Sequence, residues 1–430
     1  MSMINKKIIN LVAADMGYGH QRAAYPLLDL SRGEIITINN YPGILQWEKD
    51  YWVKSLRSYE KLSRFKKIPL LGDLVFAVMD AFQKIPSFYP FRDLSRPTTQ
   101  QKYFFSFIRK GLGQELIKQL NPSGLPFVTT FFVAAYIAEY HNYQGDIYCL
   151  ICDTDASRAW APLDPKNSRT KFLVPSEKVR ERFLMYGVKA ENIIISGFPL
   201  PKENIGLKKE IAARDLARRV VALDPTGKYQ TNYGSLLEDF IPDFSLPRDK
   251  PVTVTFAVGG AGAQKEIGGL VLNKLSSLVK AKKIKLNLVA GSRPEVKDYF
   301  LAELNKNGFG KSEGVEIIFA ANKLDYFGKF NECLHGTDIL WTKPSELSFY
   351  CALGLPIIMS EPVGSQEDFN HEWLLAMGAG IDSPDPVSVA EWLPDLIESG
   401  RLARAAADGF INAEKMGTYN IERLFTKNNL

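Results

Sequence analysis

The sequence predicts an α/β protein built from two Rossmann-like domains, each a parallel sheet covered by helices. Three observations predict it. Apolar, β-branched runs alternate with amphipathic helical segments almost from the start, which is the pattern of βαβ units. A glycine-bearing turn joins a strand to a helix in each half of the chain, at 15–20 and again at 258–263. The length of 430 residues exceeds what one hydrophobic core organises, and two α/β domains fit it.

In order, Ile8–Ala13 reads as the first strand, followed by the first glycine turn, an amphipathic segment Gln21–Leu30 and a strand at Ile35–Ile38. Further strands are expected at Phe127–Phe131, Ile147–Ile151, Phe172–Val174 and Ile193–Ile195, completing an N-terminal domain over 1–201. Pro199 and Pro201 break the pattern, and 202–250, helical at Leu207–Leu223 and then loop-like through Pro225, Pro242 and Pro247, reads as a linker. A second series begins at Val252–Val258 and continues through Lys285–Val289, Val315–Phe319, Ile339–Thr342 and Pro356–Met359, giving a C-terminal domain over 251–390. The tail from Val387 is helical, and the helices of 391–430 are expected to pack back on the N-terminal domain.

Composition excludes several classes. A hydrophobic share of 46% with 23% charged residues is ordinary globular usage, not disorder or a repeat protein. Four cysteines are too few for a disulfide framework, and the N-terminus carries no secretory apolar run, so a cytoplasmic setting is expected. The longest uncharged apolar stretch, Leu125–Ala138, is too short to span a bilayer. Charge is concentrated: residues 47–120 hold 14 Lys and Arg against 7 Asp and Glu, a local +7 in a chain of net +5. The same stretch holds 14 of the 50 aromatic residues. It reads as a basic aromatic insertion in the first domain. Phe104, Phe105, Phe107 and Ile108 beside Lys102, Arg109 and Lys110 suggest a helix lying at an anionic membrane surface, with an ordinary core helix as the alternative. The sequence pI of 8.7 falls short of the usual nucleic-acid footprint, and no nucleic-acid partner is expected.

The motifs carry more. Asp15-Met16-Gly17-Tyr18-Gly19-His20 ends a strand and opens a helix, where free N–H groups and the positive helix end favour an anion. A neutral imidazole at His20 can act there as a general base, with a tight turn and a capping histidine as the simpler reading. Val258-Gly259-Gly260-Ala261-Gly262-Ala263 repeats that grammar in the second half, and two such turns facing an interdomain cleft suggest a nucleotide-linked substrate. Ile38, Asn39 and Asn40 stand where a dinucleotide-binding unit needs an acid, which disfavours NAD. Trp341-Thr342-Lys343-Pro344-Ser345-Glu346-Leu347-Ser348, then Gly354-Leu355-Pro356 and Gly364-Ser365-Gln366-Glu367-Asp368-Phe369-Asn370, form a third constellation at strand ends. Glu346, Gln366, Glu367 and Asn370 are suited to hydrogen-bonding sugar hydroxyls, though each alone also fits a helix cap or a solvated loop. Cys149 and Cys152 have metal-like spacing without further ligands and read as core. The stretch Asp224–Tyr229 reads as a turn, and no role is assigned to His141, His335 or His371.

In this order the motifs resemble the GT-B glycosyltransferases of family 28, above all the monogalactosyldiacylglycerol synthases and diacylglycerol glucosyltransferases, over most of the chain. Gly17–Ala24 is similar to the family's glycine-histidine loop, Asp153-Thr154-Asp155 with Trp160 to its aspartate-tryptophan strand end, and Gly259–Gln264 to its donor-phosphate loop. Thr342-Lys343-Pro344 through Gln366-Glu367 and Asn370 is similar to its donor-site stretch. The resemblance implies an inverting enzyme that moves a hexose from a nucleotide diphosphate sugar, UDP-linked by expectation, to a lipid-like hydroxyl. It implies His20 as the base, with Asp155 as a companion that positions the acceptor. The donor would be held by Gly17, Gly19, Gly259, Gly260, Ala261, Gly262, Ala263, Phe319, Glu346, Gln366, Glu367 and Asn370. No metal or other cofactor is implied, and the enzyme would sit peripherally at the inner face of a membrane. Two departures stand out: Tyr350 and Cys351 lie nearest the position of the family's ribose-binding glutamate, which leaves Glu346 as the substitute, and Tyr18 replaces a glycine in the first loop. The alternatives are a nucleotide-sugar epimerase or hydrolase of the same fold, or a non-catalytic nucleotide-sugar or lipid-binding protein.

Overall fold

The structure, a computed structural model, describes residues 7–65, 85–241, 250–259, 262, 264–310, 314–362 and 365–426. The chain forms two compact units: Met1–Pro199 with Val363–Asn370 and Met416–Leu430, and Leu200–Pro362 with His371–Lys415.

The first unit is built on a six-stranded parallel sheet. Its strands are β1 (Asn10–Ala13), β2 (Ile36–Thr37), β3 (Phe127–Thr129), β4 (Ile147–Leu150), β5 (Lys171–Val174) and β6 (Ile193–Ile195), in the order β2-β1-β3-β4-β5-β6. The central strands are buried along their whole length, as a parallel sheet covered on both faces requires. Its strand order reverses between β1 and β3, which places the switch point there.

Helix α1 (Gly19–Ala24) follows β1, and the basic aromatic insertion is largely helical where described: α2 (Gln46–Phe65), α3 (Thr99–Ile108) and α4 (Gln114–Leu120). Its residues 66–84, with Phe76 and Phe82, lie outside the described residues. Thr98 and Gln101 close a capping box that starts α3. Gln101 is itself buried and donates to the Tyr136 hydroxyl at 3.2 Å and the Ala161 carbonyl at 2.6 Å. The reading of α3 as an interfacial helix is corrected here. Ile108 is fully buried, and Phe104, Phe105 and Phe107 pack inward on Phe132, Tyr136 and Tyr51 at ring separations of 5.9, 5.1 and 4.5 Å. Those rings are partly buried and shed water by packing on the core, while Lys102, Tyr103, Arg109 and Lys110 are the exposed side chains of this stretch.

The second unit carries β7 (Val252–Ala257), β8 (Ile284–Gly291), β9 (Val315–Phe319), β10 (Ile339–Thr342), β11 (Ile357–Met359) and β12 (Gly380–Asp382), all parallel, in the order β12-β11-β10-β7-β8-β9. Its switch point lies between β7 and β10. The short edge strand β12, with its glycine and acid, lacks the apolar run by which the other strands are legible.

Residues 202–250, expected to be a linker, belong to this unit where described. Helix α5 (Glu210–Leu223) buries one face, and from it the fully buried Arg219 donates to the carbonyls of Leu334, Thr337 and Leu353 at 2.7, 2.7 and 2.6 Å. Burial lowers the Arg219 pKa to about 10. Arg218 adds an ion pair with the buried Asp338 and a hydrogen bond to the Thr337 carbonyl. These guanidinium groups satisfy carbonyls at helix ends, where backbone acceptors have no partner of their own. The C-terminal helices divide. Helix α6 (Val389–Glu398) and α7 (Arg401–Asn412) lie in the second unit, where a Cβ on Gly409 would meet the Cys351 carbonyl oxygen at 2.8 Å. Helix α8 (Gly417–Thr426) lies in the first, with Phe425 against Tyr148 at 4.9 Å and Asn420 donating to the Ser196 carbonyl.

Replacing Arg219 by Met should therefore lower the unfolding free energy of the second unit by about 3–5 kcal/mol, because three buried charge-assisted hydrogen bonds are lost at once. Urea denaturation of the purified variant measures it, and a loss below about 1 kcal/mol would show that these bonds are replaceable.

Candidate functional site

In the first unit the chemistry-bearing side chains gather where β1 and β3 end. The loop after β1 is pinned by a reciprocal pair: Asn39 accepts from the Asp15 N–H at 2.9 Å and donates to the Asp15 carbonyl at 3.1 Å. Asn39 occupies the very stretch where a dinucleotide fold would need an acid, and here it sets the loop. Gly17 has φ +119°, and Gly19 begins a helix of six residues, Gly19–Ala24.

His20, the second residue of that helix, is half-buried and tied to the neighbouring strand end twice. The Thr130 hydroxyl donates to the His20 carbonyl at 2.8 Å, and the imidazole Nδ1 lies 2.6 Å from the Thr130 carbonyl oxygen. A carbonyl can only accept, so the proton of the neutral ring sits on Nδ1 and Nε2 carries the lone pair. The ring is edge-on to Phe131 at 5.0 Å and tilted to Trp160 at 6.1 Å. An oriented imidazole of fixed tautomer between aromatic walls is equipped to take a proton.

Asp155 is differently placed. It is buried in a two-pronged ion pair with Arg182, Nε to Oδ1 and Nη2 to Oδ2 both at 2.9 Å, and Oδ1 also accepts from the Ala156 N–H. Arg182 in turn lies 4.9 Å from the Phe88 ring centroid. With its oxygens committed to these donors, Asp155 acts on the turn after β4, not on a substrate. Asn370 is committed too: its Oδ1 accepts from the N–H and hydroxyl of Thr154 at 3.0 and 2.9 Å, and its Nδ2 donates to Asp153 at 3.2 Å. Gln366 and Glu367 are half-buried in the first turn of the helix Ser365–Ala376.

In the second unit the glycine turn follows β7. Gly260, Ala261 and Ala263 lie outside the described residues. Gly259 faces the side chain of Lys343, which leaves the end of β10: a Cβ at Gly259 would lie 2.8 Å from Lys343 Cε. Gly262 has φ +71°, which L side chains rarely adopt, and its Cβ position would meet Val296 and Arg293 at 3.2 and 3.5 Å. Lys343 after β10 and Arg293 after β8 thus approach the turn that follows β7, ahead of a helix of 16 residues, Lys265–Lys280. Phe319 ends β9 with the Lys297 ammonium 4.9 Å from its ring centroid. Glu346 is half-buried at the start of the 3-10 helix Glu346–Leu353, whose Tyr350 and Cys351 are buried in the core. Lys343 and Arg293 were legible only as cations directly after strands. The carbonyl of Thr130 carried no sequence signal, since every residue has one.

Behind Phe131 lies the buried face of α2, with Trp52 at 6.2 Å from the Phe131 ring and Tyr51 beside Trp52 at 5.2 Å. Glu48 on the same face is fully buried, and its Oε2 accepts from the Tyr41 hydroxyl at 3.2 Å and the Gly113 N–H at 2.9 Å. Burial pushes its carboxyl above the ordinary range, against the pull of those two donors.

Two all-parallel six-stranded sheets in Rossmann-like units, each with a glycine turn at its switch point, make up the two-domain GT-B fold. The chain is 22% identical over 385 residues, 88% of its length and 83% of the relative's, to the processive diacylglycerol beta-glucosyltransferase of Bacillus subtilis. It is 22% identical to the protein of that name from Bacillus cytotoxicus, over 67% of this chain and 64% of that one. The crystal structure of UDP-GlcNAc 2-epimerase from Neisseria meningitidis bound to UDP-GlcNAc shares the fold at a TM-score of 0.50 and 12% identity, covering 98% of this chain and 100% of that one. No protein-family model matches the chain. The homology to diacylglycerol glucosyltransferases is weak but spans most of the chain, and with the fold it supports a glycosyltransferase.

A group whose folded pKa is raised is protonated in both states below the ordinary carboxylate range and costs nothing there. As pH rises through that range the unfolded chain ionises first, and the folded state loses stability relative to it. Glu48→Gln removes this titration, so the variant's stability relative to wild type should increase from about pH 4 to about pH 7. Chemical denaturation at both pH values reads the sign, and a flat difference would mean that Glu48 ionises as freely folded as unfolded.

Proposed function

We propose that the chain transfers a hexose, with inversion, from a nucleotide diphosphate sugar to a hydroxyl of a lipid-like acceptor. The observation that carries the reading is the hydrogen bond from His20 Nδ1 to the Thr130 carbonyl, which leaves Nε2 as a lone-pair base at the first sheet's switch point. Nε2 takes the proton of the acceptor hydroxyl while its oxygen attacks the anomeric carbon. The bond from that carbon to the diphosphate breaks, and the leaving group departs with the bonding pair. Its charge is met at the Gly259–Gly262 turn, where Lys343 and Arg293 approach and the helix Lys265–Lys280 begins. UDP as the nucleotide and diacylglycerol as an acceptor follow the named relatives.

His20→Ala should lower turnover by about 10²–10⁴-fold and leave UDP binding intact, the cost of losing a general base. Lys343→Met should do the reverse first, weakening UDP binding measured by thermal shift. Near-normal turnover in His20→Ala would overturn the base assignment. Conversion of UDP-sugar to another sugar nucleotide with no acceptor present would replace the transferase by an epimerase.

The membrane reading moves from α3 to the loop before it. Tyr89 and Phe91 are 68% and 64% exposed, meet Phe88 edge-on at 5.1 and 5.6 Å, and adjoin the exposed Arg92. Exposed aromatic rings beside cations suit the interface of an anionic bilayer. Binding to vesicles containing anionic lipid should exceed binding to neutral ones, fall with salt, and fall further in a Tyr89→Ser, Phe91→Ser double variant. Binding unchanged by the double variant would place the contact elsewhere.

A further inference from the structure

One carbonyl orients His20, and the fold brings that carbonyl a second donor. Strand β3 lies between β1 and β4, so its C-terminal end is reached from both sides. Its ladder pairs run to Thr129, opposite Val12 on β1 and Cys149 on β4. Thr130 follows, fully buried. From the β1 side the imidazole Nδ1 of His20 lies 2.6 Å from the Thr130 carbonyl oxygen, and from the β4 side the Sγ of Cys152 lies 3.5 Å from the same oxygen. Cys152 is a free thiol, 4% exposed, two residues beyond the end of β4. Its sulfur also lies 3.7 Å from the Leu150 carbonyl oxygen. Both carbonyls can only accept, so the S–H is the donor in either contact, and Thr130 is the nearer of the two.

A carbonyl oxygen has two lone pairs and can serve two donors, each drawing on electron density that the other also uses. A thiol is a weak donor, so at this distance it occupies the second lone pair and leaves most of the acceptor strength to the imidazole. A hydroxyl in its place would take more. That strength matters, because the Nδ1–H bond supports the positive charge the ring acquires when Nε2 takes a proton. We propose that Cys152 is a positioning residue for the transfer step: its thiol holds the Thr130 carbonyl from the β4 side, and its weakness as a donor keeps the proton affinity of His20 high. Cys152 acts through the shared oxygen. The proposal rests on the reading of His20 as the base and adds what sets the strength of that base. The titratable groups on the segments around the ring are Asp15, Tyr18 and Arg22 on the segment that carries His20, and Asp153 and Asp155 after β4. Substitution at position 152 leaves all five in place.

The test compares the full chain with Cys152→Ser, which puts a stronger donor beside the carbonyl, and Cys152→Ala, which puts none. In nitrogen-labelled protein the Nδ1-bound proton of His20, assigned by its loss in His20→Ala, reports the bond to Thr130 directly, since a stronger bond moves the resonance to lower field. Cys152→Ala should lie at the lowest field, wild type next and Cys152→Ser at the highest. The acid limb of kcat/KM against pH, measured with UDP-glucose and diacylglycerol, reads the base of the free enzyme. It should move down by about 0.2–0.5 of a pH unit in Cys152→Ser, and up by a smaller step in Cys152→Ala. Coincident resonances or coincident acid limbs overturn the proposal. So does a loss of turnover with both readouts unmoved, which would mean that Cys152 only fills space. Should Cys152→Ser fail to fold, Cys152→Ala decides alone, by a move to lower field or by none. A His20→Ala chain with near-normal turnover would overturn the base reading and with it the role given to Cys152. That result is distinct from coincident resonances, which overturn the role of Cys152 and leave the base in place.

Discussion

Both sheets are entirely parallel, and a parallel sheet dictates where a protein of this kind can do chemistry. Successive strands must be joined by crossovers, the crossovers cover both faces, and only the strand ends remain open. At the carboxyl ends the loops leave for the covering helices, and where the strand order reverses, two neighbouring loops part in opposite directions and leave a crevice. The order β2-β1-β3 puts that crevice beside His20 and Thr130, and the order β10-β7-β8 puts the other beside Gly259 and Lys343. Each candidate site is therefore a consequence of topology before it is a matter of side chains.

Side chains then rigidify what topology leaves open. Thr130 holds His20 by backbone and by ring, Asn39 holds the loop that leads to it, and the Asp155–Arg182 pair with Asn370 holds the turn after β4. The partner of His20 Nδ1 is a backbone carbonyl where many catalytic histidines have a carboxylate. It fixes the tautomer without adding a charge beside the ring. That arrangement is adequate where the leaving group is a diphosphate that departs readily once its charge is met, because the demand on the base is modest and the demand on the cations is large.

Eleven of the twelve strands were legible, because buried parallel strands leave unbroken apolar runs in the sequence. The exception has a plain cause. Gly380–Asp382 is an edge strand with one apolar residue and offers no period to read. The linker reading of 202–250 failed for a different reason: its charged residues look solvated in sequence, yet Arg219 is buried by carbonyls that belong to helices more than a hundred residues away. At the site, residue type was enough to find His20 and the two glycine turns. It could not separate Asp155 and Asn370, polar residues committed to the framework, from residues that meet a substrate, because that distinction lies in which partners the fold brings to them.

The insertion shows the same division within one segment. Its aromatic residues and its cations are interleaved in sequence, which made the whole stretch resemble a membrane-facing surface. In the structure they separate by helix face: Phe104, Phe105, Phe107, Tyr51 and Trp52 turn toward the core around Phe131 and Tyr136, and Lys102, Arg109 and Lys110 turn to solvent. The inward rings therefore form a wall behind His20, so the aromatic content of the insertion serves the candidate site as well as any surface. Among the described residues of the insertion, Tyr89 and Phe91 are the most exposed rings, ahead of Tyr103 and Trp47, and they lie where the chain has no helix to turn them inward. Burial within the first unit thus divides the insertion between two places, a wall beside His20 and a short loop whose rings stay in solvent.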